Sequence, residues 1–260
     1  MQSLALFSLP SAWHLAHPMD AADWRAAWMR AGIGDTHAWN RLRVVCAREL
    51  LWVISGSPET NSWLDQHMNA IACAVTDVVG DAVAFEVRSR TIGVRASADR
   101  LWAYRFPRLV LAKGTGDWQP HFAHPLDPNI LQRMLHVLES GIRRELTAWN
   151  RLPDVLDDQN HFLTITDPGR AVIIPAIHAD RSGHGKSVNV LVRSNIIAIS
   201  PIRIEGEVFA GPLASLGFGR MLRTSAPELL DTSTQRALLQ LPDFQSLISP
   251  GDATPSTTPP

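Results

Sequence analysis

Cysteine is almost absent from this sequence, which has two cysteines in 260 residues. Cys46 and Cys73 are far apart and form no CxxC or Cys/His motif, so the sequence predicts neither a disulfide framework nor a zinc site. This cysteine usage favours a reducing, cytoplasmic environment. The first 20 residues include a short apolar stretch that lacks the basic segment of a signal peptide and is too short to span a bilayer, so we expect no membrane association.

Signatures of metabolic enzymes are also missing. The sequence has no nucleophile triad, no dinucleotide-binding fingerprint and no metal-ligand set, so no cofactor or metal is expected. The segment GHGKS, residues 183–187, resembles the end of a phosphate-binding P-loop, but Asp180 replaces the first required glycine and a strand-like segment follows. We therefore exclude a nucleoside triphosphatase. An α+β enzyme with a small-molecule pocket stays an alternative.

Lysine is scarce as well, because only Lys113 and Lys186 occur among 24 basic residues. The net charge of −1 hides an uneven distribution: residues 84–223 carry 18 basic and 13 acidic side chains, whereas acidic residues outnumber basic ones on both sides of that segment. The planar guanidinium of arginine suits phosphate contacts and stacking on bases, which favours RNA as a partner. An arginine-rich composition that merely reflects a GC-rich genome is the alternative.

The N-terminal third alternates strand-like and helix-like segments. The polar break at Arg48 and Glu49 divides one apolar segment into two antiparallel strands, and the second helix is expected to start at a Ser57 or Thr60 cap and to end at Gly80. This order of elements is that of a ferredoxin-like unit. The elements are a strand at 4–9, a helix at 20–32, two strands within 42–55, a helix at 57–80 and a strand at 81–95.

A second α+β unit follows. Its strand-like start at 106–114 precedes a long helix at about 128–150 and four more segments of strand composition, FLTITD, RAVIIPAI, SVNVLVRSNIIAIS and IRIEGEVFA. The polar, proline-rich ending cannot bury enough apolar surface to fold. We therefore predict an α+β fold with tandem ferredoxin-like (RRM-like) units. The domains are an N-terminal one at 1–97, a modified C-terminal one at 98–225, and a short helix with a flexible tail at 226–260.

The most specific segment is IEGEVFAGPLASLGFGRMLR, residues 204–223, in which Arg220 and Arg223 follow a group of glycines. Glycine lets backbone amides come close to a phosphate or a base, and the two arginines add positive charge beside those amides. The segment therefore suits an RNA backbone. The alternative is a tight hairpin between two core strands, with glycine used for positive φ and the arginines on a solvated edge.

This segment carries a resemblance to a known family. A strand that leads into a glycine-rich loop of the form GxGxxxxxGxG is the hallmark of the repeat-associated (RAMP) CRISPR protein superfamily. The stretch FAGPLASLGFG resembles that loop, with Gly211, Gly217 and Gly219 at three of the glycine positions and Phe209 at the first. Within the superfamily, the length, the arginine content and PLASLGFGRML most resemble the CRISPR RNA-processing endoribonucleases, in particular the type IV branch.

The resemblance implies a metal-independent cleavage, in which a ribose 2′-hydroxyl attacks the adjacent phosphate and leaves a 2′,3′-cyclic phosphate. Many such enzymes place a histidine near the first helix, and the candidates in that region here are Arg25, Arg30, His37, Arg41 and Arg43, of which we select Arg25, His37 and Arg41. His37 is expected to act as base or acid at neutral pH. Arg25 and Arg41 are expected to orient and stabilise the phosphate, because a guanidinium does not readily lose its proton. The alternative for His37 is a plain loop residue after the helix.

Two further basic features are expected to contact RNA. Arg181, His184 and Lys186 lie in a loop between two strand-like segments, and Arg143 and Arg144 lie on the long helix. A solvated loop and a solvated helix face are the alternatives.

The residues and the resemblance together lead to one expected function. It is an endoribonuclease that cleaves precursor CRISPR RNA within its repeats and retains the stem-loop beside other CRISPR effector subunits. A non-catalytic RNA-binding subunit of the same superfamily is the alternative, since it would share the loop but need no acid or base.

Overall fold

The computed structural model describes a set of residues that build two antiparallel sheets and four helices. This mixture of helices and antiparallel strands confirms the predicted α+β class. Within these residues, no helix is both long and apolar enough to cross a membrane. The described residues are 5–14, 27, 42–47, 50–55, 57–80, 84–96, 100–149, 156, 161–179, 185–206, 208–213, 218–224, 232–242 and 244.

The first sheet has five strands: β1 (Ala5–His14), β2 (Leu42–Ala47), β3 (Leu50–Ser55), β4 (Ala84–Ala96) and β9 (Ile202–Glu205). Their spatial order is β2, β3, β1, β4, β9, and each neighbouring pair is antiparallel. The prediction of two antiparallel strands on either side of Arg48 and Glu49 is confirmed, because β2 and β3 pair along their whole length. β1 runs five residues beyond its predicted end at Leu9, with a register shift between Leu9 and Ala12.

Helix α1 (Pro58–Val79) lies between β3 and β4 in the chain, where a helix was predicted. Its first turn is capped by Ser57, whose hydroxyl accepts a hydrogen bond from the Thr60 amide at 3.2 Å. The helix ends at Gly80, which has a φ of 78° and donates its N–H to the Thr76 carbonyl. Both predicted ends are therefore confirmed, and Ser57 rather than Thr60 is the cap.

The second sheet has the strands β5 (Trp102–Lys113), β6 (Thr164–Asp167), β7 (Arg170–Ala179), β8 (Gly185–Ser200) and β10 (Leu222–Thr224). Its order is β10, β5, β8, β6, and β7 also pairs with β8. β6 and β7 occupy successive parts of one edge of the 16-residue β8, so both fit beside it. Because β8 starts at Gly185, a strand follows the GHGKS segment, as expected when the P-loop was excluded.

Helix α3 (Pro128–Ala148) covers the second sheet with an apolar face that repeats every four residues. A carboxylate oxygen of Asp127 caps its start by accepting the Asn129 amide at 2.8 Å. The predicted face is confirmed, because its central residues are buried against the strands; they are Ile130, Met134, Leu138 and Ile142. Truncation of one of these to alanine is expected to cost about 2–5 kcal/mol of folding free energy.

Strand β9 joins the two sheets. It follows β8 of the second sheet directly in the chain but pairs with β4 of the first. The free edge of β9 is completed by the side chain of Tyr104 on β5, which donates to the Ile202 carbonyl and accepts the Ile204 amide, both at 2.7 Å. The segment IRIEGEVFA, predicted as one strand, ends its pairing at Glu205, because Gly206 adopts a φ of 104°.

Two short helices complete the described structure. α2 (Gln119–Ala123) precedes α3, and the sequence interpretation did not include it. α4 (Thr232–Leu239) falls in the C-terminal region for which a short helix was predicted, and Leu239 and Phe244 pack into the main core. The predicted first helix lies outside the described residues except for Ala27, which is helical and buried.

Candidate functional site

The glycine-rich segment, here residues 208–213 and 218–221, folds as a short hairpin-like unit. Phe209 and Arg220 form an antiparallel bridge. On either side of it, the Ala210 amide donates to the Gly219 carbonyl and the Met221 amide donates to the Val208 carbonyl, each at 2.9 Å. Pairing therefore continues through Phe209, the position at which the family loop has its first glycine.

Gly219 occupies a place that only glycine can fill. Its φ is 73°, and an added Cβ would overlap the carbonyl oxygen of Ala210. Its amide donates to the Arg108 carbonyl on β5 at 2.6 Å, so the backbone is held from two sides. Gly211 also has a positive φ, of 80°. Both described glycines are thus required by the backbone of the hairpin itself.

Helix α3 presses against the same segment. A Cβ at Gly141 would lie 2.6 Å from both the Ala210 Cα and the Gly211 nitrogen, so the two backbones touch where α3 has no side chain. At Gly211, an added Cβ would lie 3.0 Å from the Val137 side chain of α3 and 3.1 Å from that of Leu109 on β5. The glycine-rich segment is therefore wedged between α3 and β5, and its path is fixed by close packing.

The two arginines after the glycines differ in their surroundings. Arg220 is half-buried within the bridge to Phe209. Arg223 is exposed on β10 and donates to Glu205 Oε1 at 3.2 Å. Arg203 pairs with the same carboxylate oxygen. Arg223 consequently points toward the junction with β9 and shares its counter-ion with a second arginine.

The predicted RNA-contacting arginines of α3 lie apart from the glycine-rich segment. Arg143 donates from Nε to the Leu156 carbonyl at 2.7 Å, and its guanidinium carbon lies 5.1 Å from the centre of the Phe162 ring. Arg144 is exposed. On this helix Gly141 contacts the glycine-rich segment, whereas Arg143 forms a hydrogen bond with the carbonyl of Leu156.

Several predicted site residues lie outside the described residues. They are the three candidate catalytic residues Arg25, His37 and Arg41, together with Gly217, Arg181 and His184. Lys186 has its backbone in β8, where it pairs with His178 of β7. These assignments stay predictions.

A cluster that the sequence interpretation missed lies at the junction of the two sheets. Guanidinium carbons of three arginines approach the Trp102 ring: Arg100 at 4.5 Å, Arg203 at 4.9 Å and Arg223 at 5.9 Å from its centre. Together with Glu205, Trp102 and these arginines form what we call the Trp102 cluster. The only hint in the sequence is the close spacing of Arg100 and Trp102 and of Arg203 and Glu205, which is too common to single out.

A second unusual group is the buried Arg193 on β8. Its side chain is fully buried and donates to the carbonyls of His121, at 2.8 Å, and Gly169, at 3.1 Å. Burial lowers the pKa of Arg193 below its usual value. The pKa of His121 is lowered by burial first and then by the positive charges of Arg193 and Arg133. Arg193 thus ties α2 to the turn between β6 and β7.

Tyr104, the one tyrosine of the chain, is buried and already donates and accepts a hydrogen bond. Burial raises its pKa well above the usual 10.0. It stays neutral at physiological pH and reaches no solvent, so its role is to hold β9 rather than to transfer protons.

In the described part of the chain, no three side chains of the types His, Cys, Asp and Glu are grouped as a metal site. The described geometry offers instead a wedged glycine hairpin with arginines at its end, and beside it a cation-rich junction. Both can bind anionic groups.

Comparison with sequence families and with curated proteins gives no match. Solved structures do match. One is "Csf5, CRISPR-Cas type IV Cas6 crRNA endonuclease", with a TM-score of 0.56 and 14% identity, over 85% of this chain and 100% of that one. Another is Cas6b, with a TM-score of 0.51 and 12% identity, over 84% of this chain and 99% of that one. This chain has the Cas6 fold.

The resemblance drawn from the glycine-rich segment, to CRISPR RNA-processing endoribonucleases and their type IV branch, is confirmed at the level of the Cas6 fold. The likeness extends over most of the chain, whereas the segment that suggested it covers about 20 residues. At this identity, what is shared is the path of the backbone.

Proposed function

We propose that this chain is a metal-independent endoribonuclease that cleaves precursor CRISPR RNA within its repeats and keeps the resulting stem-loop bound in a CRISPR effector complex. The observation that carries the proposal is the match of 85% of the chain to a type IV Cas6 crRNA endonuclease that is itself covered along its whole length.

The proposed architecture is two ferredoxin-like units in tandem, with the RNA held in the cytoplasm by the second unit and its glycine-rich segment. The strand orders support this. β2, β3, β1 and β4 form one antiparallel set, and β6, β8, β5 and β10 form a second set in which β5 comes first along the chain and β10 last. Domain boundaries at 97 and 225 belong to the same proposal, with β9 reaching back from the second unit to the first.

The proposed chemistry needs three groups around one phosphodiester. A base removes the proton of the 2′-hydroxyl, whose oxygen forms a bond to phosphorus as the bond to the 5′-oxygen breaks. An acid protonates the departing 5′-oxygen, and positive charge stabilises the pentavalent arrangement. We assign His37 as base or acid, and Arg25 and Arg41 as the stabilising cations, because these residue types suit those tasks at neutral pH.

The proposed RNA contacts follow the basic residues of the second unit. Arg220 and Arg223, which follow the glycines of the wedged hairpin, are assigned to the RNA backbone, because guanidinium groups suit phosphate oxygens whereas the Gly219 amide already donates to the Arg108 carbonyl. The basic residues Arg181, His184 and Lys186 and the α3 residues Arg143 and Arg144 are assigned to the RNA stem. These groups would grip backbone phosphates, so binding should weaken steeply with salt.

The testing experiment is incubation of the purified protein with an end-labelled stem-loop repeat RNA in excess EDTA. We expect a discrete cut that leaves a 2′,3′-cyclic phosphate and a 5′-hydroxyl. Arg25→Ala, His37→Ala and Arg41→Ala should each lower the single-turnover rate on the order of a hundredfold or more, and more than they weaken binding. Arg236→Ala, an exposed substitution on α4, is the matched control.

The outcomes separate the possible functions. Tight binding without cleavage would replace the enzyme by a non-catalytic RNA-binding subunit. Absence of both binding and cleavage would remove the RNA assignment altogether. Cleavage that stops in EDTA and returns with a divalent cation would contradict metal independence.

A further inference from the structure

The Trp102 cluster carries more positive charge than the fold explains. Among the described residues, Glu205 is the one carboxylate that pairs with its arginines, and it serves both Arg203 and Arg223. Arg100 contacts the Trp102 ring and no described carboxylate. Within the described part of the chain, three guanidinium groups around one ring are therefore paired with a single carboxylate.

Contacts with the ring do not offset this surplus. A cation over an aromatic face gains about 0.5–1 kcal/mol at an exposed site. Like charges a few ångströms apart repel one another by a similar amount or more at the dielectric constant near a protein surface. Such an arrangement is most stable when an anion lies among the guanidinium groups.

Two buried donors also lack acceptors. Among the described residues, neither Trp102 Nε1 nor Arg203 Nε has a hydrogen-bond partner, although both atoms are buried. Both groups can only donate. A buried donor without an acceptor costs about 1–3 kcal/mol, so the cluster lacks oxygen acceptors as well as negative charge.

The cluster is held in place from three strands. Trp102 starts β5, Arg203 and Glu205 lie on β9, and Arg223 lies on β10. Tyr104 fixes β9 against β5 through its two hydrogen bonds. Side chains anchored on paired strands lose little freedom when a ligand binds, which is the condition for a preorganised site.

We propose that the Trp102 cluster binds a backbone phosphate of the RNA, with Arg100, Arg203 and Arg223 contacting the phosphate and Trp102 positioning them. This inference rests on the proposed function, because it takes RNA as the ligand. A phosphate fits better than a base because the ring is already covered by guanidinium groups, whereas planar guanidinium forks match phosphate oxygens.

The first test compares RNA binding by charge-matched variants of the full chain. Arg100→Gln and Arg203→Gln, alone and combined, should weaken binding to a labelled stem-loop repeat RNA, on the order of tenfold for the pair at low salt. The slope of log affinity against log salt should fall by about 0.7 for each phosphate that the variant no longer neutralises. Arg105→Gln is the control, because Arg105 is an exposed arginine of the same strand and alternation places it on the other face.

The second test uses a substitution that should strengthen RNA binding. Glu205→Gln removes the competing carboxylate and frees Arg203 and Arg223 for the phosphate, so binding should become several-fold tighter. Asp117→Asn removes one negative charge from an exposed site elsewhere and measures the effect of net charge alone. A damaged fold would weaken binding, so tighter binding by Glu205→Gln cannot arise from misfolding.

A third variant examines the ring. Trp102→Leu should weaken binding with the arginines intact, and Trp102→Phe should restore much of it, because a smaller aromatic face still orients the guanidinium groups. Thermal unfolding of each variant without RNA reports whether the fold is retained.

The results distinguish this site from the proposed function. If the wild type binds and cleaves repeat RNA while Arg100→Gln/Arg203→Gln keeps the salt slope of Arg105→Gln, the cluster is not a phosphate site and the enzyme assignment stands. A Glu205→Gln variant that binds no tighter than Asp117→Asn would overturn the site in the same way. A wild type that binds no RNA at any salt concentration would overturn both.

Discussion

The glycine-rich segment and the Trp102 cluster differ in how far the fold accounts for their residues. In the segment, Gly219 and Gly211 have positive φ angles and lie against neighbouring backbone or side chains on either side. In the cluster, three arginines surround a tryptophan whose indole N–H has no described acceptor, and two of them, Arg203 and Arg223, share Glu205.

This difference distinguishes residues that the fold itself requires from residues that packing does not explain. A glycine pattern that suggests a ligand in the sequence is, at the described positions, already required for the hairpin to pack between α3 and β5. An excess of charge at a sheet junction is not required by packing and costs stability without a partner. The second kind of feature is the stronger indication of a binding site.

Gly219→Ala tests whether packing alone fixes the glycine-rich segment. We expect a loss of about 3–5 kcal/mol in the free energy of unfolding, because the substitution adds both an unfavourable φ and an overlap with the Ala210 carbonyl. Urea unfolding followed by circular dichroism measures it. Gly80→Ala is the matched control: Gly80 has a φ of 78° and no atom within 4 Å of an added Cβ.

For the control we expect a loss of only about 1 kcal/mol, since it introduces the backbone strain without the overlap. Equal losses in the two variants would show that the segment yields to an added methyl group, and the contrast with the Trp102 cluster would disappear.

Tyr104→Phe tests the rigidity of the junction that holds the Trp102 cluster. Removal of the hydroxyl leaves the Ile202 carbonyl and the Ile204 amide of β9 unpaired in a buried place. We expect a loss of about 2 kcal/mol in the free energy of unfolding, measured in the same way. Thr76→Val, which removes a half-buried hydroxyl bonded to a carbonyl within α1, should cost much less. A stability unchanged by Tyr104→Phe would mean that β9 is held by its pairing with β4 alone.

The local parts of this fold follow from the sequence. Ser57 and Gly80 mark the ends of α1, and α3 starts at Pro128, as predicted, because caps and periodic apolar faces are decided within a few residues. The paired strands β2 and β3 follow for the same reason, since only two residues separate them.

The non-local parts do not follow. Nothing in IRIE shows that β9 pairs with β4, more than 100 residues earlier, instead of staying with β8. In the folded protein the Tyr104 hydroxyl bonds the other edge of β9, a contact between residues about 100 positions apart that the sequence does not reveal. The Trp102 cluster is equally hidden, because its members come from three strands and meet only once the two sheets are joined.

The predicted site residues stay predictions. The family resemblance inferred from the glycine-rich segment is borne out at the level of the fold by the likeness to Csf5. Its described glycines also match the alternative interpretation of a tight hairpin with positive φ, so the two interpretations are compatible. Arg143 shows what sequence misses: a residue chosen for its charge donates to a backbone carbonyl and lies against a phenylalanine ring.

Gly141→Ala tests the close packing between α3 and the glycine-rich segment by adding a methyl group on the helix. In an exposed helix interior this change stabilises by about 1 kcal/mol, because glycine is a poor helix former. Here the new Cβ would lie 2.6 Å from the Ala210 Cα, so we expect a net loss of about 1–2 kcal/mol. Ser140→Ala, on an exposed position of the same helix, is the control and should change stability little. A stabilised Gly141→Ala variant would show that α3 and the segment can move apart.

The smallest change in stability is expected from the protonation of His121. This prediction tests whether another buried charge of the fold behaves like the Trp102 cluster. Arg193 resembles the cluster in part: carbonyls of Gly169 and His121 accept from its two terminal nitrogens, but among the described residues its buried Nε has no acceptor. The nearby His121 ring has its pKa lowered below 6.5 by burial and by the charges of Arg193 and Arg133, so it is neutral in the folded protein at neutral pH.

The unfolded chain binds a proton on His121 more readily than the folded protein does. The contribution of this histidine to stability is therefore complete above a pH of about 6.5 and is lost as the pH falls toward its lowered folded-state pKa. We expect the melting temperature of the wild type to fall between about pH 7 and pH 5.5, and that of His121→Gln to fall less over the same interval. An identical pH dependence in His121→Gln and the wild type would mean that the folded protein accommodates a proton beside Arg193.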